Sequence, residues 1–300
     1  MALQVEIWVK SIIEGLFANN TFAARSVDHS EFVNNKTVHV PNAGAAPNVE
    51  KNRTVFPASV TKREDVDLTY DMDEYTVDPV RISHAEQVEL SYNKRESIVR
   101  QSRRKLAQDI YDSIIYDWIP EGVKAVETLG AAVAAHIKGA TGNRKLMTKK
   151  TVEELQTIFD EQDLPEEGRC ILLDARMYNQ LMNSMTDAEQ NNFLNCADPA
   201  RGVIGKYLGF DFYKRSKVAK AATDGTVKPW SAADAATDCA AGLAWHEDCV
   251  SHALGESVLF DDEGNPLFYG DIISFLQRAG GKSIRADKVG IVLIKQGTAA

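Results

Sequence analysis

The stretch GRCILLDARMYNQL, residues 168–181, decides how this chain is read. CILLD at 170–174 is a short apolar run and a strand candidate. ARMYNQLMN at 175–183 follows with no breaker and continues as a helix. RGVIGKYLGFDFYKRS at 201–216 then alternates and is rich in aromatic residues, which favours strands. Strand and helix signals therefore sit side by side in this region.

Working outward, the same mixture recurs. The section from Glu86 to about Trp118 reads as the longest helix. Leu90, Val99, Leu106, Ile110, Ile114 and Trp118 return on one stripe, and Pro120 ends the pattern. Val123, Val126, Leu129, Val133 and Ile137 predict a second helix over 123–138. GATGN at 139–143 reads as a turn. Thr151 precedes Glu154 at capping-box spacing, which places a short helix over 152–160. Downstream, the small-residue loop 219–242 is expected to be exposed or mobile. Apolar segments at 243–245, 257–260 and 291–294, with FYGDIISFL at 268–276, complete the tail. The chain is α+β, and no clean βα repeat with a parallel sheet is evident.

Toward the amino terminus, Ile7, Trp8, Ile12, Ile13, Leu16 and Phe17 form an amphipathic stripe within 1–35. Internal core, docking on a neighbour and membrane association all require such a face, so periodicity leaves the three open. KTVHVPNAGAAP at 36–47 reads as a strand stopped by Pro41, then a loose crossover. Residues 53–90 read as an extended hairpin or a long loop with strands. Val55, Val60, Val66, Leu68, Tyr70, Tyr75, Val77, Val80 and Ile82 supply its β-prone positions.

The 300 residues carry 34 basic and 43 acidic side chains, a formal charge of −9. General attraction to nucleic acid or anionic lipid is not expected from that balance. Charge is nevertheless segregated. Residues 64–78 hold seven acidic residues and no basic one; KRESIVRQSRRK at 94–105 holds six basic residues and one acidic. Each is a solvated face or a patch that meets the opposite charge, on a neighbouring subunit or, for the basic run, on DNA. No apolar run approaches the roughly 20 residues of a membrane span, and the opening MALQVEIWVKSII does not resemble a secretory signal. Cys170, Cys196, Cys239 and Cys249 are too few for a disulfide scaffold and are expected to be reduced, mostly in small buried niches.

No reaction centre emerges. His246, Cys249 and His252 at three-residue spacing are the best local metal candidate, yet neither helix nor strand geometry converges all three. Asp73 with Glu74, and Asp261 with Asp262, are adjacent rather than facing acids. GATGN lacks a full phosphate-loop or dinucleotide pattern, and AGGKS at 279–283 lacks the first glycine of a phosphate loop and reads as a structural turn. There is no GxSxG elbow. The expectation is no enzyme, with catalytic, cofactor-binding and metal residues all none.

Taken in order, three regions resemble the major capsid proteins of tailed bacteriophages with the fold first described for bacteriophage HK97. They are 1–41 with its TVHVP transition, GRCILLDARMYNQL with RGVIGKYLGFDFYKRS, and AGLAWHEDCVSHAL (241–254) with PLFYGDIISFLQRAGGKSIRADKVGIVLI (266–294). The resemblance implies an N-terminal arm at 1–35, a crossover at 36–47 and an extended E-loop at 48–85. It implies a peripheral domain with the long spine helix at 86–160, a mainly axial domain at 161–270, and a return to the peripheral domain at 271–300. It further implies self-assembly, through pentamers and hexamers, into an icosahedral shell around double-stranded DNA in the virion, built in the host cytoplasm. Portal, scaffold or cementing proteins would be partners, and procapsid maturation an expected step. Some members of the fold join a loop lysine to an asparagine of another subunit. Lys51 and Lys62 lie in the loop region, but no matching asparagine and acid are identifiable, so no crosslink is expected. An encapsulin-like nanocompartment shell and a soluble hydrolase with a site assembled in three dimensions are the alternatives.

Overall fold

The computed structural model describes residues 21–32, 37–44, 48–54, 56–58, 60, 62–83, 94–229 and 231–299. The stripe at Ile7–Phe17, Leu90 and the start of the expected long helix at Glu86 lie outside these residues.

The order begins with strands β1 (Val27–Asp28), β2 (Thr37–Asn42), β3 (Val66–Asp71), β4 (Asp73–Thr76) and β5 (Val80–Ser83), then helix α1 (Lys94–Asp117). Strands β6 (Lys124–Glu127), β7 (Ala132–Ala134) and β8 (Asn143–Lys145) lead to α2 (Lys149–Glu161). After β9 (Arg169–Asp174) come α3 (Ala175–Ser184) and α4 (Asp187–Asn195). The remainder is β10 (Gly205–Tyr207), β11 (Phe210–Arg215), β12 (Ala219–Ala221), β13 (Val227–Lys228), β14 (Cys239–His246), β15 (Val250–Asn265), β16 (Gly270–Ser283), β17 (Ile291–Lys295) and β18 (Thr298–Ala299).

Every residue of β9 is buried, because both faces of its eight-stranded sheet are covered. Ile171 and Leu173 pack with Val152, Leu155 and Phe159 of α2 and with Met177 and Leu181 of α3. Cys170 and Leu172, pointing the other way, share a core with Trp245, with Ile114 and Ile115 of α1 and with Trp118 just beyond it. The period of two thus divides one strand between two cores. Asp174 turns the chain from strand to helix, accepting from the Arg176 and Met177 amides at 2.8 and 2.7 Å. The strand–helix junction and the β10–β11 hairpin follow the sequence reading.

The second sheet has five strands. β15 and β16 form a long antiparallel hairpin, and β4 and β5 pair with the far edge of β16. Helix α1 lies against it; Leu106, Ile110 and Ile114 share a core with Ile273 and Phe275. Its 24 residues span about 36 Å at the usual rise. Trp118 closes its last turn on Ile114, two residues before Pro120.

Several expectations are corrected. Residues 123–138 hold β6 and β7, not a helix. The apolar spacing suits a helix, but β6 gains a parallel backbone ladder along β17, and Gly130 donates its amide to Leu146 O. A Cβ on Gly130 would meet Leu146 at 2.7 Å. The helix expected at 152–160 exists but begins at Lys149, with Thr148 as its cap and Thr151 buried inside the first turn. The reciprocal capping box belongs to Thr186 and Glu189 on α4. Residues 219–242 are no loose loop: Lys220 is buried and donates to Ala232 O at 2.7 Å and Asp234 at 3.0 Å, and buried Asp238 holds Lys228 at 2.6 Å. AGGKS is no turn either; it lies within β16. Pairing in the β2–β3 ladder also runs past Pro41 to Asn42, which an edge strand of a two-stranded sheet permits.

Candidate assembly surfaces

Among the described residues, exposed apolar side chains gather in two places, with Leu129, Leu194 and Phe260 exposed singly elsewhere. The first is the loop between β2 and β3. Its base is held by Thr37 Oγ1 donating to Asp71 at 2.7 Å and by a 2.8 Å contact of His39 with Asp67. Val38, Tyr70 and Met72 pack beneath with Ala253 of β15. Beyond that base, Phe56 is 75% exposed and Val60 97%, with Val49 and Val66 also exposed. The second is the turn joining β15 to β16. Leu267 and Tyr269 are 81% and 78% exposed on either side of Phe268. Tyr269 has φ +48, a conformation a bulky residue rarely takes. Arg95 of α1 steadies the strands below that turn, pairing with Asp261 and with Glu263 at 3.2 Å. Consecutive exposed apolar side chains of this kind mark contact surfaces.

The charged stretches are partly neutralised within the chain. From the acidic run, Asp65 pairs with Arg63, Asp67 with His39 and Glu74 with Arg278. From the basic run, Arg95 turns to the hairpin and Lys105 pairs with Asp109 at 2.7 Å, while Arg100 and Arg104 face solvent one helical turn apart. Asp117, at the end of α1, is pushed up to about 6 by burial and by the nearby charge of Asp73.

The proposed ligands His246, Cys249 and His252 are separately engaged. His246 Nε2 contacts Glu167 O at 2.9 Å, and its Nδ1 accepts from the Asp248 amide at 3.2 Å. Cys249 packs against Gly290, and burial pushes its thiol up to about 11. Among the described residues no group of His, Cys, Asp and Glu is placed to hold a metal. Cys170 and Cys239 are buried like Cys249, whereas Cys196 is exposed. Asp261 and Asp262 do not face each other: Asp262 accepts from Asn265 at 2.6 Å. No described helix is long and apolar enough to cross a membrane.

One constellation absent from the sequence reading imitates a catalytic triad. Ser26, Asp28 and His252 line a cavity of about 650 Å³. Ser26 Oγ lies 2.8 Å from His252 Nδ1, and Asp28 lies 3.9 Å from Nε2. The hydrogen bonds run the wrong way for a nucleophile. Ser26 donates its only hydroxyl proton to Ala23 O at 2.6 Å, so it accepts from His252 Nδ1–H, and that nitrogen cannot serve as its base. Asp28 is instead occupied by Ser30, whose amide and hydroxyl reach it at 2.9 and 2.5 Å. His136 with Asp174, at 2.8 Å, is likewise a buried pair built around the start of α3. Neither could be found from sequence, because β1 and β15 are more than 200 residues apart and both pairs form only through tertiary packing.

An α+β subunit with two large sheets and two small ones, a long helix, a projecting loop and, among the described residues, no reaction centre has the architecture of a shell protein of the HK97-like fold. A family model described as phage capsid protein matches residues 26–295, and the chain belongs to that family. It is a major capsid protein, a structural subunit of a phage shell and not an enzyme, and its copies assemble into the capsomers of the virion capsid. Solved structures agree on the fold at low identity. The chain is similar to the capsid protein of cyanophage Pam1, with 12% identity, TM-score 0.63 and coverage of 94% of this chain and 93% of that one. Against the capsid of Ralstonia phage GP4 the identity is 13%, the TM-score 0.62 and the coverage 96% and 91%. Against a virus-like particle from Pyrococcus furiosus they are 9%, 0.57, and 97% and 99%. No curated protein matches the sequence.

Proposed function

We propose that this chain builds a closed icosahedral shell of pentamers and hexamers around double-stranded DNA, assembled in the host cytoplasm with a portal and with scaffold or cementing proteins. The observation that carries the reading is the pair of exposed apolar extremities, one holding Val49, Phe56, Val60 and Val66 and the other Leu267, Phe268 and Tyr269, which gather most of the large apolar side chains exposed among the described residues. Each extremity is poorly placed to be buried within its own chain and well placed to be buried by another copy. Many modest contacts of this kind, repeated by symmetry, favour closure.

Within the subunit, the part of the expected 48–85 loop that lies between β2 and β3 acts as the reaching loop, since β4 and β5 pair with β16. The peripheral part comprises α1 with β4, β5, β15 and β16, and the axial part the eight-stranded sheet with α2, α3 and α4. On this reading the return expected at 271–300 is divided, since β16 pairs with β15, β4 and β5 in the five-stranded sheet and β17 with β14 and β6 in the eight-stranded one. The exposed pair Arg100 and Arg104 meets an acidic surface of a neighbour. Expansion of a precursor shell during packaging is part of the proposal.

The alternative weighed from the sequence, an encapsulin-like nanocompartment shell, is not favoured by the match to the phage capsid family, and the content of the particle separates the two. Nuclease-treated particles purified from infected cells decide between them. Protected double-stranded DNA is the expected content; a uniform protein cargo without DNA would overturn the genome-container reading.

A further inference from the structure

Residues 21–30 touch three parts of the fold at once. Phe22 stands edge-on to Tyr111 of α1 at 5.9 Å, to Trp118 just beyond that helix at 5.8 Å, and to Trp245 of β14 at 6.4 Å. Arg25 reaches Asp211 of β11 at 2.6 Å and Glu247 at 3.0 Å. Its carbonyl accepts from the Trp245 indole at 2.8 Å. Val27 and Asp28 then run parallel to Ser251 and His252 of β15. His252 donates to Ser26, and the Leu254 amide donates to Ser30 Oγ at 3.0 Å. The Trp118 indole reaches Ser251 O at 2.8 Å. All of this surrounds Glu247–Cys249, the single turn by which the chain leaves the eight-stranded sheet and enters the long hairpin.

We infer that residues 21–30 are a releasable clasp on the joint between the five-stranded and eight-stranded sheets, setting their relative angle. The inference rests on the shell reading, because a closed shell places one sequence at sites of differing curvature. Release is local because, beyond the buried Phe22 and Ala23, the attachment is narrow. β1 pairs at two residues only, its Asp28 side chain and Glu247 are partly in solvent, and the cavity beside Arg25 leaves that flank unpacked. The β9–β14 ladder, covered on both faces, has no such weakness. Regions with few buried contacts open below the global unfolding free energy.

Native-state hydrogen exchange on the full chain, at rising sub-denaturing urea, tests the first half. The amides of His29 and Leu254 are expected to exchange together, at least about tenfold faster than Ile171 and Leu243, with weak urea dependence. The double variant Phe22→Ala/Arg25→Met should speed that group about tenfold further; Ile171 and Leu243, whose opening also breaks these contacts, should speed by no more than the same factor and stay at least about tenfold slower, and Asp211 keeps Lys206 at 2.8 Å as a partner. Particles assembled from it should differ in diameter or fail to close, and Arg25→Lys should restore part of the wild-type behaviour. Exchange of the clasp only through global unfolding, or variant shells of wild-type diameter and uniformity, would overturn the clasp. Absence of shells from the wild-type protein in parallel would instead refute the shell reading.

Discussion

Asp117 shows how a single side chain at a subunit's own seam responds to pH. Burial and Asp73 raise it to about 6, above an unfolded value of about 4. Between those values the native state keeps a proton that the unfolded chain has lost, so stability falls as pH rises through that window. Asp117→Asn removes the penalty. It is expected to raise the urea midpoint at pH 7.5 and to change it little at pH 4; an equal effect at both would show that charge is not the cause. Arg169 is the opposite case, a charge fully committed inside the fold. It is 2% exposed, donates to Pro165 O and Asp160 at 2.7 Å, and stacks over Phe159 and Phe210. Arg169→Met leaves those acceptors unpaired and should destabilise by roughly 3 kcal/mol, seen as a lower urea midpoint with unchanged slope.

Among the elements, β16 illustrates what sequence shows and what it hides. Its apolar run is legible, but AGGKS reads locally as a turn. The glycines are required by what crosses them: a Cβ on Gly281 would lie 3.0 Å from Ser251 O and 3.1 Å from Ile114 and the Trp118 indole nitrogen. Gly281→Ala therefore pushes α1 off the hairpin and is expected to cost about 1–3 kcal/mol. In contrast, Gly225→Ala, with open space around it but φ +92, is strained only by its backbone. The strand–helix passage at Asp174 and the long helix were readable because local period and tertiary burial agree there. The stretch 123–138 was not, because pairing of β6 with β17, some 170 residues away, overrides a helical spacing. The clasp was invisible for the same reason: no local pattern tells Arg25 that Glu247 will face it.

At the scale of the whole molecule, function is spread over surfaces rather than gathered in a site. The exposed apolar extremities should matter to assembly and not to folding. Replacing Leu267, Phe268 and Tyr269 by serine is expected to leave the thermal midpoint of the isolated subunit within about 2 °C of the parent, since exposed positions contribute little to stability. The same variant should lose most closed particles in sedimentation. Truncation sharpens the same division. Phe22 and Arg25 belong to the subunit's own core, so an arm deletion that spares folding must stop at residue 20 and not at 35. The central claim is assembly itself, and electron microscopy of the purified full chain, across a range of salt and protein concentration, tests it most directly. Closed hollow shells with a regular subunit lattice are the predicted result. A chain that stays monomeric throughout that range, and in lysates of cells infected with its phage, would contradict the account.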